Sequence, residues 1–546
     1  MGRARFWTNL GRAIRIARFC EGHHISTGEG LERAAVWEAD VAARRAGRRE
    51  FLADMGRLAA VGAMGSVAYS LRLASAAPGP GRSVKVGIVG AGLAGLACAD
   101  ELGKNGINAT LYDASTQIGG RCSSLAGFFP DQVAERGGEF IDNLHKTMLG
   151  YAKRFKLELE DVVKEPPGEV FYFFGDEHIP ESAVVDEFRN LVDAMRDDLR
   201  TVGQPTADSH TEADARLDFT SLREYLATRG AGEIASKAIE QAYIAEYGLE
   251  IDQQSCLSFL LFIHADRRSK FRPFGVFSDE RYHVIGGNEQ IIAGLRDELP
   301  GQMQLGMKLV KARKNASSGI ELTFKNGSKT ISTTYDAVVF AIPFSTLREV
   351  ELDASLSLPD WKRFAIRELR YGTNAKMMVG FDSRPWLAQG SNGSSYSDLA
   401  HHQTTWETNP TKATGEHAVL TDYSGGDRGA GLKPQQVEME AESFLSDLDL
   451  VYPEALAAAS GSARNRRVHL EHWPSNALVK GSYTCNHPGY FTEIADNEAK
   501  PVGNVYFAGE HANSFYEFQG FMEGAALSGI RAAHEILQDL KVGVLP

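Results

Sequence analysis

Residues 84–95 read VKVGIVGAGLAG, a short β-branched run followed by three spaced glycines. The run VKVGIV is typical of a buried strand, and LACADELGK after it has the apolar spacing of a helix. Gly90 permits the tight turn, Gly92 lets a phosphate approach the backbone, and Gly95 lets the helix lie close to the strand. The helix N-terminus favours an anion, so this stretch predicts a dinucleotide site.

A second strand and an acidic residue follow at the distance that such a site requires. The run INATLYD ends on Asp113, 18 residues beyond Gly95. A carboxylate at this position can accept both hydroxyls of the adenosine ribose, with Ala114 beside it as a further contact. Leu93 and Ala94, at the start of the predicted helix, would present N–H groups to the phosphates. Dinucleotide binding is therefore favoured over a purely structural turn.

NAD and FAD fit these features equally well, and the residues after the acidic strand separate them. The stretch IGGRC places Gly120 and Arg121 in a second glycine turn, which a nicotinamide site does not need. A longer cofactor crosses more of the domain, so this turn and its arginine can contact the cofactor's phosphates. The stretch ERGGEFID adds a further close glycine pair, Gly137 and Gly138, followed by Glu139. These features favour FAD.

The C-terminal part of the chain contains the other half of the predicted site. The strand GNVYFAGEH ends in Gly509 and Glu510, and Glu510 can accept a hydroxyl of the second phosphate–sugar arm. The stretch FQGFMEGAALSGIRAAHEIL then begins a helix, and Gly520, Phe521 and Met522 lie at its start. N–H groups there would stabilise the negative charge of a reduced flavin near N1 and the C2 oxygen. The alternative is a strand with an amphipathic packing helix.

Together, GAGLAG, IGGR and FAGE followed by GFMEGA resemble the flavin-dependent amine oxidases, which include monoamine, polyamine and L-amino-acid oxidases. The resemblance covers roughly residues 83–540 and is firmest at both ends. It implies an α/β fold in which a Rossmann-like FAD-binding domain is interleaved with a mixed α+β substrate domain. The expected FAD-binding parts are residues 83–162, 283–345 and 481–546, and the expected substrate parts are residues 163–282 and 346–480.

The resemblance also assigns roles to single residues. Lys376 lies in the apolar run NAKMMVGF, where an unpaired ammonium would be costly to bury and an edge-strand lysine is the alternative. The family places a lysine here that holds a water at flavin N5. Tyr483 and Phe521 align with the two rings that flank the substrate amine, although each could be an ordinary core aromatic. Trp473 matches a family tryptophan, and Leu309 is expected to pass the adenine with its backbone.

Two departures from the family pattern bear on cofactor attachment and on the substrate. Mammalian monoamine oxidases have a cysteine bonded to the flavin where this chain has Ser482, so the resemblance implies non-covalent FAD. Vertebrate-type L-amino-acid oxidases have a carboxylate-binding arginine just after the glycine pair. This chain has Glu139 in that neighbourhood, which would repel a carboxylate and could attract a cation. Bacterial L-amino-acid and L-arginine oxidases, however, have similar GGE-x-ID and RYHxxGGN stretches.

The reaction implied is oxidation of an L-amino acid by O2 to a 2-oxo acid, ammonia and hydrogen peroxide. A monoamine or polyamine oxidase is the first alternative. A flavin desaturase or dehydrogenase acting on a lipid is a remoter one, against which Lys376 and the Tyr483 slot argue. A non-catalytic FAD-binding protein is another, against which the FAGE segment argues. The expected partners are a small amino acid or amine and O2, and a homodimer is left open.

Composition limits the other classes of function. A chain of 546 residues is too long to fold around one hydrophobic core, so two or more domains are expected. The net charge of -13 argues against a nucleic-acid scaffold. No apolar run reaches the roughly 18 residues needed to span a bilayer. The five scattered cysteines imply neither a disulfide framework nor a zinc site, and no metal is expected.

Residues 1–82 form an N-terminal extension before the predicted FAD-binding domain. Arg48-Arg49-x-Phe51-Leu52 resembles a twin-arginine export signal, and Ala74-Ser75-Ala76 offers a small-residue cleavage site. This interpretation predicts a periplasmic or secreted protein. The alternative is a helical extension that packs on the body of a cytoplasmic protein.

Overall fold

The structure of the protein, a computed structural model, describes residues 6–36, 84–162, 168–261, 280–409 and 417–545. It combines helices with parallel and antiparallel sheets, which confirms the α/β fold predicted from the sequence. The twin-arginine motif and its cleavage site lie outside the described residues, so export stays a prediction. None of the helices in the described ranges combines the length and apolarity that crossing a bilayer requires.

The helices, numbered in chain order, are α1 (Phe6–His23), α2 (Leu93–Lys104), α3 (Lys146–Arg154), α4 (Glu181–Thr201), α5 (Glu212–Asp218), α6 (Leu222–Thr228), α7 (Glu233–Tyr247), α8 (Glu289–Asp297), α9 (Phe344–Leu347), α10 (Asp360–Glu368), α11 (Pro385–Ala388), α12 (Gly426–Gly431), α13 (Val437–Val451), α14 (Ala455–Ala458) and α15 (Met522–Lys541). A π-helical turn, Tyr490–Ile494, lies between α14 and α15.

The strands are β1 (Val86–Val89), β2 (Thr110–Tyr112), β3 (Ser124–Phe129), β4 (Gln132–Glu135), β5 (Leu159–Asp161), β6 (Glu169–Phe174), β7 (Glu177–Ile179), β8 (Tyr282–Val284), β9 (Met303–Gln304), β10 (Lys308–Lys314), β11 (Ile320–Asn326), β12 (Lys329–Tyr335), β13 (Ala337–Phe340), β14 (Glu351–Leu352), β15 (Arg370–Tyr371), β16 (Ala375–Phe381), β17 (Ser391–Ser397), β18 (Thr404–Glu407), β19 (Ala418–Ser424), β20 (Gly461–Ser462), β21 (Asn465–Arg466), β22 (Val468–His472), β23 (Thr484–Cys485) and β24 (Val505–Phe507).

A five-stranded parallel sheet carries the glycine-rich loop. Its order is β24-β13-β1-β2-β9, and every neighbouring pair is parallel. β1, β13 and β24 are buried along their whole length, which is typical of a parallel sheet covered on both faces. α15 crosses α2 at backbone contact distance, since a Cβ on Gly529 would lie only 2.1 Å from the Ala94 carbonyl oxygen.

A second, mostly antiparallel sheet has seven strands in the order β22-β16-β19-β18-β17-β6-β7. β16 carries Lys376 and pairs with β19 on one side and β22 on the other. The edge-strand alternative for Lys376 is therefore wrong, because this strand has neighbours on both sides. A four-stranded sheet, β12-β11-β10-β14, contains a hairpin of β11 and β12, in which Asn326 pairs with Lys329 across a turn that includes Gly327.

The described part of the N-terminal extension packs on α4 and α7. Arg189 of α4 donates hydrogen bonds to Glu21 Oε1 at 2.6 Å and to Thr27 Oγ1 at 2.8 Å. Ile16 and Cys20 of α1 are fully buried in the same apolar cluster as the inner face of α4. Residues 6–36 are thus integrated into the fold, while both interpretations of residues 1–82 as a whole stay predictions.

Candidate cofactor and substrate site

One cleft opens at the carboxyl ends of the parallel strands. β1 leads into Gly90, β2 into Asp113, β13 into Ala341 and β24 into the turn containing Gly509, and all four residues line the cleft. The volume of the cleft, including the space that opens to solvent at its mouth, is about 1540 Å³. Ligands of open parallel sheets bind at this edge, so the fold itself places a binding site here.

Most of the predicted site residues line this cleft. They are Gly90, Gly92, Leu93, Ala94, Asp113, Ala114, Gly120, Arg121, Leu309, Trp473, Gly509, Glu510, Phe521 and Met522. The structure places seven others outside the lining, which are Gly95, Gly137, Gly138, Glu139, Lys376, Tyr483 and Gly520. The first group is brought together from distant parts of the chain, and its cofactor contacts stay predictions.

Glycines behind the lining let the backbone pack closely around it. A Cβ on Gly95 would lie 1.9 Å from the Gly90 carbonyl oxygen, and a Cβ on Gly137 would lie 1.8 Å from the Arg121 carbonyl oxygen. A side chain at either position would displace a loop that lines the cleft. A Cβ on Gly92, in contrast, would have no neighbour closer than 3.9 Å. Its absence leaves room for a phosphate at the N-terminus of α2, so the loop fits a dinucleotide.

Asp113 lies where the sequence predicts the adenosine ribose. Its Oδ2 accepts a hydrogen bond from Ala91 N–H, and its Oδ1 accepts one from Ser115 N–H, each at 2.8 Å. Each oxygen keeps a further lone pair, so the carboxylate can still receive two hydroxyls. Burial raises the pKa of Asp113, and the two backbone hydrogen bonds oppose that shift.

Arg121 and Glu510 form an ion pair at the cleft. Arg121 Nη1 donates to Glu510 Oε1 at 2.8 Å and to the Ser482 carbonyl oxygen at 2.5 Å. Glu510 Oε2 accepts a hydrogen bond from Thr484 Oγ1 at 3.0 Å. Burial would raise the pKa of Glu510, but the charge of Arg121 holds that pKa below its ordinary value. The two predicted cofactor contacts are thus a charged pair.

Leu309 and Trp473 occupy other parts of the cleft wall. Leu309 lies on β10 beside a break in the pairing with β11, and bulges of this kind often lie next to binding sites. Trp473 Nε1 donates to the Arg136 carbonyl oxygen at 3.1 Å. Both side chains are buried. The adenine contact of Leu309 and the catalytic role that the resemblance gives to Trp473 stay predictions.

Lys376 is buried in a cluster that the sequence did not predict. Its Nζ donates to Glu139 Oε2 at 2.6 Å, to the Gly137 carbonyl oxygen at 2.9 Å and to the Glu135 carbonyl oxygen at 3.1 Å. Trp406 Nε1 donates to the other carboxylate oxygen of Glu139 at 2.9 Å. An ammonium has three protons, so a water held by Lys376 would replace one of these acceptors.

Tyr483 connects to this cluster through Tyr423. The Tyr423 hydroxyl donates to the Tyr483 hydroxyl at 3.1 Å, and the Tyr483 hydroxyl donates to the Ala245 carbonyl oxygen at 3.2 Å. Lys376 Nζ lies 5.7 Å from the ring centre of Trp406 and 5.9 Å from that of Tyr423, within cation–π range. Sequence reasoning missed Trp406 and Tyr423, because no motif or spacing distinguishes either of them from an ordinary aromatic residue of a buried strand.

Phe521 and Met522 bring the N-terminus of α15 to the cleft, as the sequence predicted. Gly520 precedes them with φ +85°, a conformation that favours glycine. The Phe521 ring is 5.2 Å from the ring of His145 in an edge-on contact. A helix of 20 residues therefore directs its positive end at the cleft.

Comparison with known proteins identifies relatives of this chain. Residues 93–537 match the family described as flavin containing amine oxidoreductase. YobN of Bacillus subtilis (strain 168), provisionally named an L-amino-acid oxidase, is 27% identical over 468 residues, covering 82% of this chain and 94% of YobN. The L-amino-acid oxidase of Pseudechis australis is 23% identical over 472 residues, covering 83% and 86%. The solved cyclohexylamine oxidase of Brevibacterium oxydans IH-35A shares the fold, with a TM-score of 0.70 at 22% identity, covering 84% of this chain and 100% of that structure.

Proposed function

The chain belongs to the flavin-containing amine oxidoreductase family, and from this premise we propose that it is an FAD-dependent L-amino-acid oxidase. An L-amino acid, O2 and water would yield a 2-oxo acid, ammonia and hydrogen peroxide. The observation that carries the proposal is the convergence on one cleft of two helix N-termini, Asp113 and the Arg121–Glu510 pair. Positive ends and two carboxylates suit a ligand with phosphates and polyol hydroxyls.

FAD, when bound, supplies the acceptor for two electrons, which O2 then takes up. The chain's own residues bind and orient the reactants. The N-terminus of α2 would hold the pyrophosphate, Asp113 the ribose, and the N-terminus of α15 the pyrimidine edge. Tyr483 and Phe521 would orient a neutral amine, and their burial excludes water from it. Loss of two electrons and two protons would convert the amine to an imine. Water would then add to the imine carbon, and ammonia would leave to give the 2-oxo acid.

The balance of charge around Lys376 supports an amino-acid substrate. Glu139 alone would repel a carboxylate, but its charge is matched by the Lys376 ammonium at 2.6 Å. Glu139 therefore brings no uncompensated negative charge to the region. The L-amino-acid oxidases among the relatives, which match more than four fifths of this chain, support the same choice.

A monoamine or polyamine oxidase is the second candidate, and one observation favours it. Burial raises the pKa of Tyr423, and the charges of Glu246, Glu139 and Glu280 raise it further. Glu246 and Glu280 are buried carboxylates whose charges act on the Tyr423 phenol, which donates a hydrogen bond to Tyr483. Since Lys376 compensates Glu139, the charges of Glu246 and Glu280 are the ones that would suit a substrate with a cationic group.

A peroxide-coupled screen of the purified protein separates these candidates. The panel contains L- and D-amino acids, cyclohexylamine and putrescine, and ammonia is measured in the same samples. We expect peroxide and ammonia in equal amounts from L-amino acids only. Peroxide from the two amines alone would favour the second candidate. A yellow protein reduced by substrate but not reoxidised by air would indicate a dehydrogenase.

Non-covalent attachment of FAD is part of the proposal. Ser482 cannot form the thioether that a cysteine forms, and its hydroxyl donates to Asn374 Oδ1 at 2.6 Å. Acid precipitation is expected to release the yellow colour into the supernatant. Colour that stays in the pellet would overturn this part of the proposal.

A further inference from the structure

A buried carboxamide, Gln519, joins three segments of the chain beside the cleft. Its Oε1 accepts a hydrogen bond from Asn486 Nδ2 at 3.2 Å. Its Nε2 donates to the Tyr490 hydroxyl at 2.6 Å and to the His511 carbonyl oxygen at 3.3 Å. Gln519, Asn486 and Tyr490 are fully buried, so water does not compete for these hydrogen bonds.

Each joined segment carries a residue of the proposed site. Asn486 follows Tyr483 by three residues, His511 comes directly after Glu510, and Gln519 precedes Phe521 by two residues. These links connect one wall of the proposed substrate slot, the carboxylate of the cofactor site and the other wall. A movement of the Gln519 amide would therefore displace both walls of the slot and the carboxylate of the cofactor site.

A rigid support lies beneath this amide. Tyr490 begins the π-helical turn Tyr490–Ile494, and turns of this rare type occur frequently at functional sites. The Tyr490 hydroxyl donates to Glu498 Oε1 at 2.7 Å, and Gln519 Nε2 lies 3.2 Å from the same oxygen. The backbone carbonyl oxygen of Glu498 accepts a hydrogen bond from Nζ of the buried Lys362 at 3.0 Å. The support is thus tied to α10 as well.

The charge state of Glu498 suits this supporting role. Burial raises the pKa of Glu498 to about 8, with the Tyr490 hydroxyl and Lys362 lowering it and the charge of Asp496 raising it. At pH 7 the group is therefore mostly a neutral acid. A neutral group can be buried under the amide without a counter-charge.

We propose that Gln519 is a positioning residue that fixes Tyr483, Glu510 and Phe521 relative to one another, with Tyr490 and Glu498 as its support. The inference rests on the proposed function, because this alignment matters only if FAD binds in the cleft and an amine binds beside it. A misplacement of about 1 Å in such a site can cost about 100-fold in rate.

The test compares Tyr490→Phe with Tyr452→Phe. Tyr452 is also fully buried, and its hydroxyl likewise makes two hydrogen bonds, with the Ser394 carbonyl oxygen at 3.0 Å and Ser391 Oγ at 2.9 Å. It packs in a separate apolar cluster with α13 and does not line the cleft. Both variants therefore remove one buried hydroxyl, but only Tyr490→Phe loosens the Gln519 amide.

Four properties are measured for each variant: the melting temperature, the FAD dissociation constant of the apoprotein, the flavin absorption spectrum, and the rate of anaerobic flavin reduction by the best substrate of the screen. We expect similar losses of melting temperature. Only Tyr490→Phe should alter the flavin spectrum, weaken FAD binding and slow reduction by about 5- to 10-fold at saturating substrate. Glu498→Gln is neutral and keeps an acceptor oxygen, so at pH 7 it should match the wild type in flavin spectrum, FAD affinity and reduction rate.

The outcomes distinguish failure of the positioning role from failure of the proposed function. If the wild type binds FAD and is reduced, but the two tyrosine variants behave alike in spectrum, FAD affinity and rate, the positioning role is wrong. Gln519→Met, which keeps the length and removes every hydrogen bond, should then also retain the wild-type spectrum. If the wild type binds no FAD, the proposed function fails, and the positioning role fails with it.

Discussion

Replacing Lys376 by methionine is expected to destabilise the protein, because it leaves Glu139 buried without its cation. The two side chains are 4% and 1% exposed, and Nζ and Oε2 are 2.6 Å apart. Removing one partner of a buried ion pair costs about 3–5 kcal/mol. The sequence alone favours tolerance, since methionine matches the length of lysine and suits an apolar strand. The ion pair reverses that expectation.

The double variant with Glu139→Gln isolates the charge effect. The glutamine removes the orphaned charge and keeps an oxygen for the Trp406 N–H group. We expect the double variant to recover at least half of the loss, so the two changes are not additive. Urea unfolding followed by circular dichroism, at one fixed FAD concentration, measures this difference. A loss below about 1 kcal/mol in Lys376→Met would refute the reasoning, since it would mean that no buried pair is broken.

The same variants test the kinetic role of Lys376. We expect flavin reoxidation by O2 to slow about 10-fold, which corresponds to about 1.4 kcal/mol in the barrier. Anaerobic reduction by substrate should change less, because hydride transfer depends on the orientation of the amine. Stopped-flow absorbance resolves the two half-reactions in the double variant, where stability is largely restored. If both half-reactions of the double variant proceed at wild-type rates, Lys376 has only a structural role.

Three further results are expected. Asp113→Ala should weaken FAD binding about 100-fold or more, since two charge-assisted hydrogen bonds of about 1.5–3 kcal/mol each are lost; fluorescence titration of the apoprotein measures it, and an unchanged affinity would contradict the ribose assignment. The yellow supernatant after acid precipitation should contain unmodified FAD by mass spectrometry, because Ser482 offers no thiol; a flavin peptide would contradict this. Burial raises the pKa of Glu498 from 4.5 to about 8, so between these values only the folded state keeps the proton and stability should fall as pH rises, by up to about 1.4 kcal/mol per unit. Glu498→Gln should flatten this slope in urea titrations from pH 5 to 8, and an equal slope in both proteins would show that Glu498 is ionised throughout.

The glycine-rich loop and the strands beside it could be predicted because their determinants are local. The turn at Gly90, the close approach at Gly95 and the acid at Asp113 each follow from residues adjacent in sequence. A glycine that must adopt positive φ, such as Gly90 at +110°, leaves a direct trace in the sequence. The fold class follows from the same alternation of strand, turn and helix.

The partners of Lys376 could not be predicted, because they are set by tertiary packing. Glu139 lies 237 residues away from Lys376, and Trp406 lies 267 residues away from Glu139. No spacing rule links a lysine in one strand to a carboxylate in a distant loop. The sequence indicated only that a buried ammonium needs a partner. Gln519 is a similar case, since its links depend on how three separate segments meet.

The pairing of Arg121 with Glu510 has a consequence for biosynthesis. The two residues are separated by 389 positions, and the last strand of the parallel sheet begins at Val505. A ribosome that adds about 5–20 residues per second needs on the order of 20–80 s to synthesise the chain from Arg121 to Glu510. During that time β1 and β2 emerge without their later neighbours, and apolar surface exposed in this way favours aggregation. The cleft is therefore complete only after β24 and Glu510 have been synthesised, and a stop codon before Val505 yields a chain that lacks both.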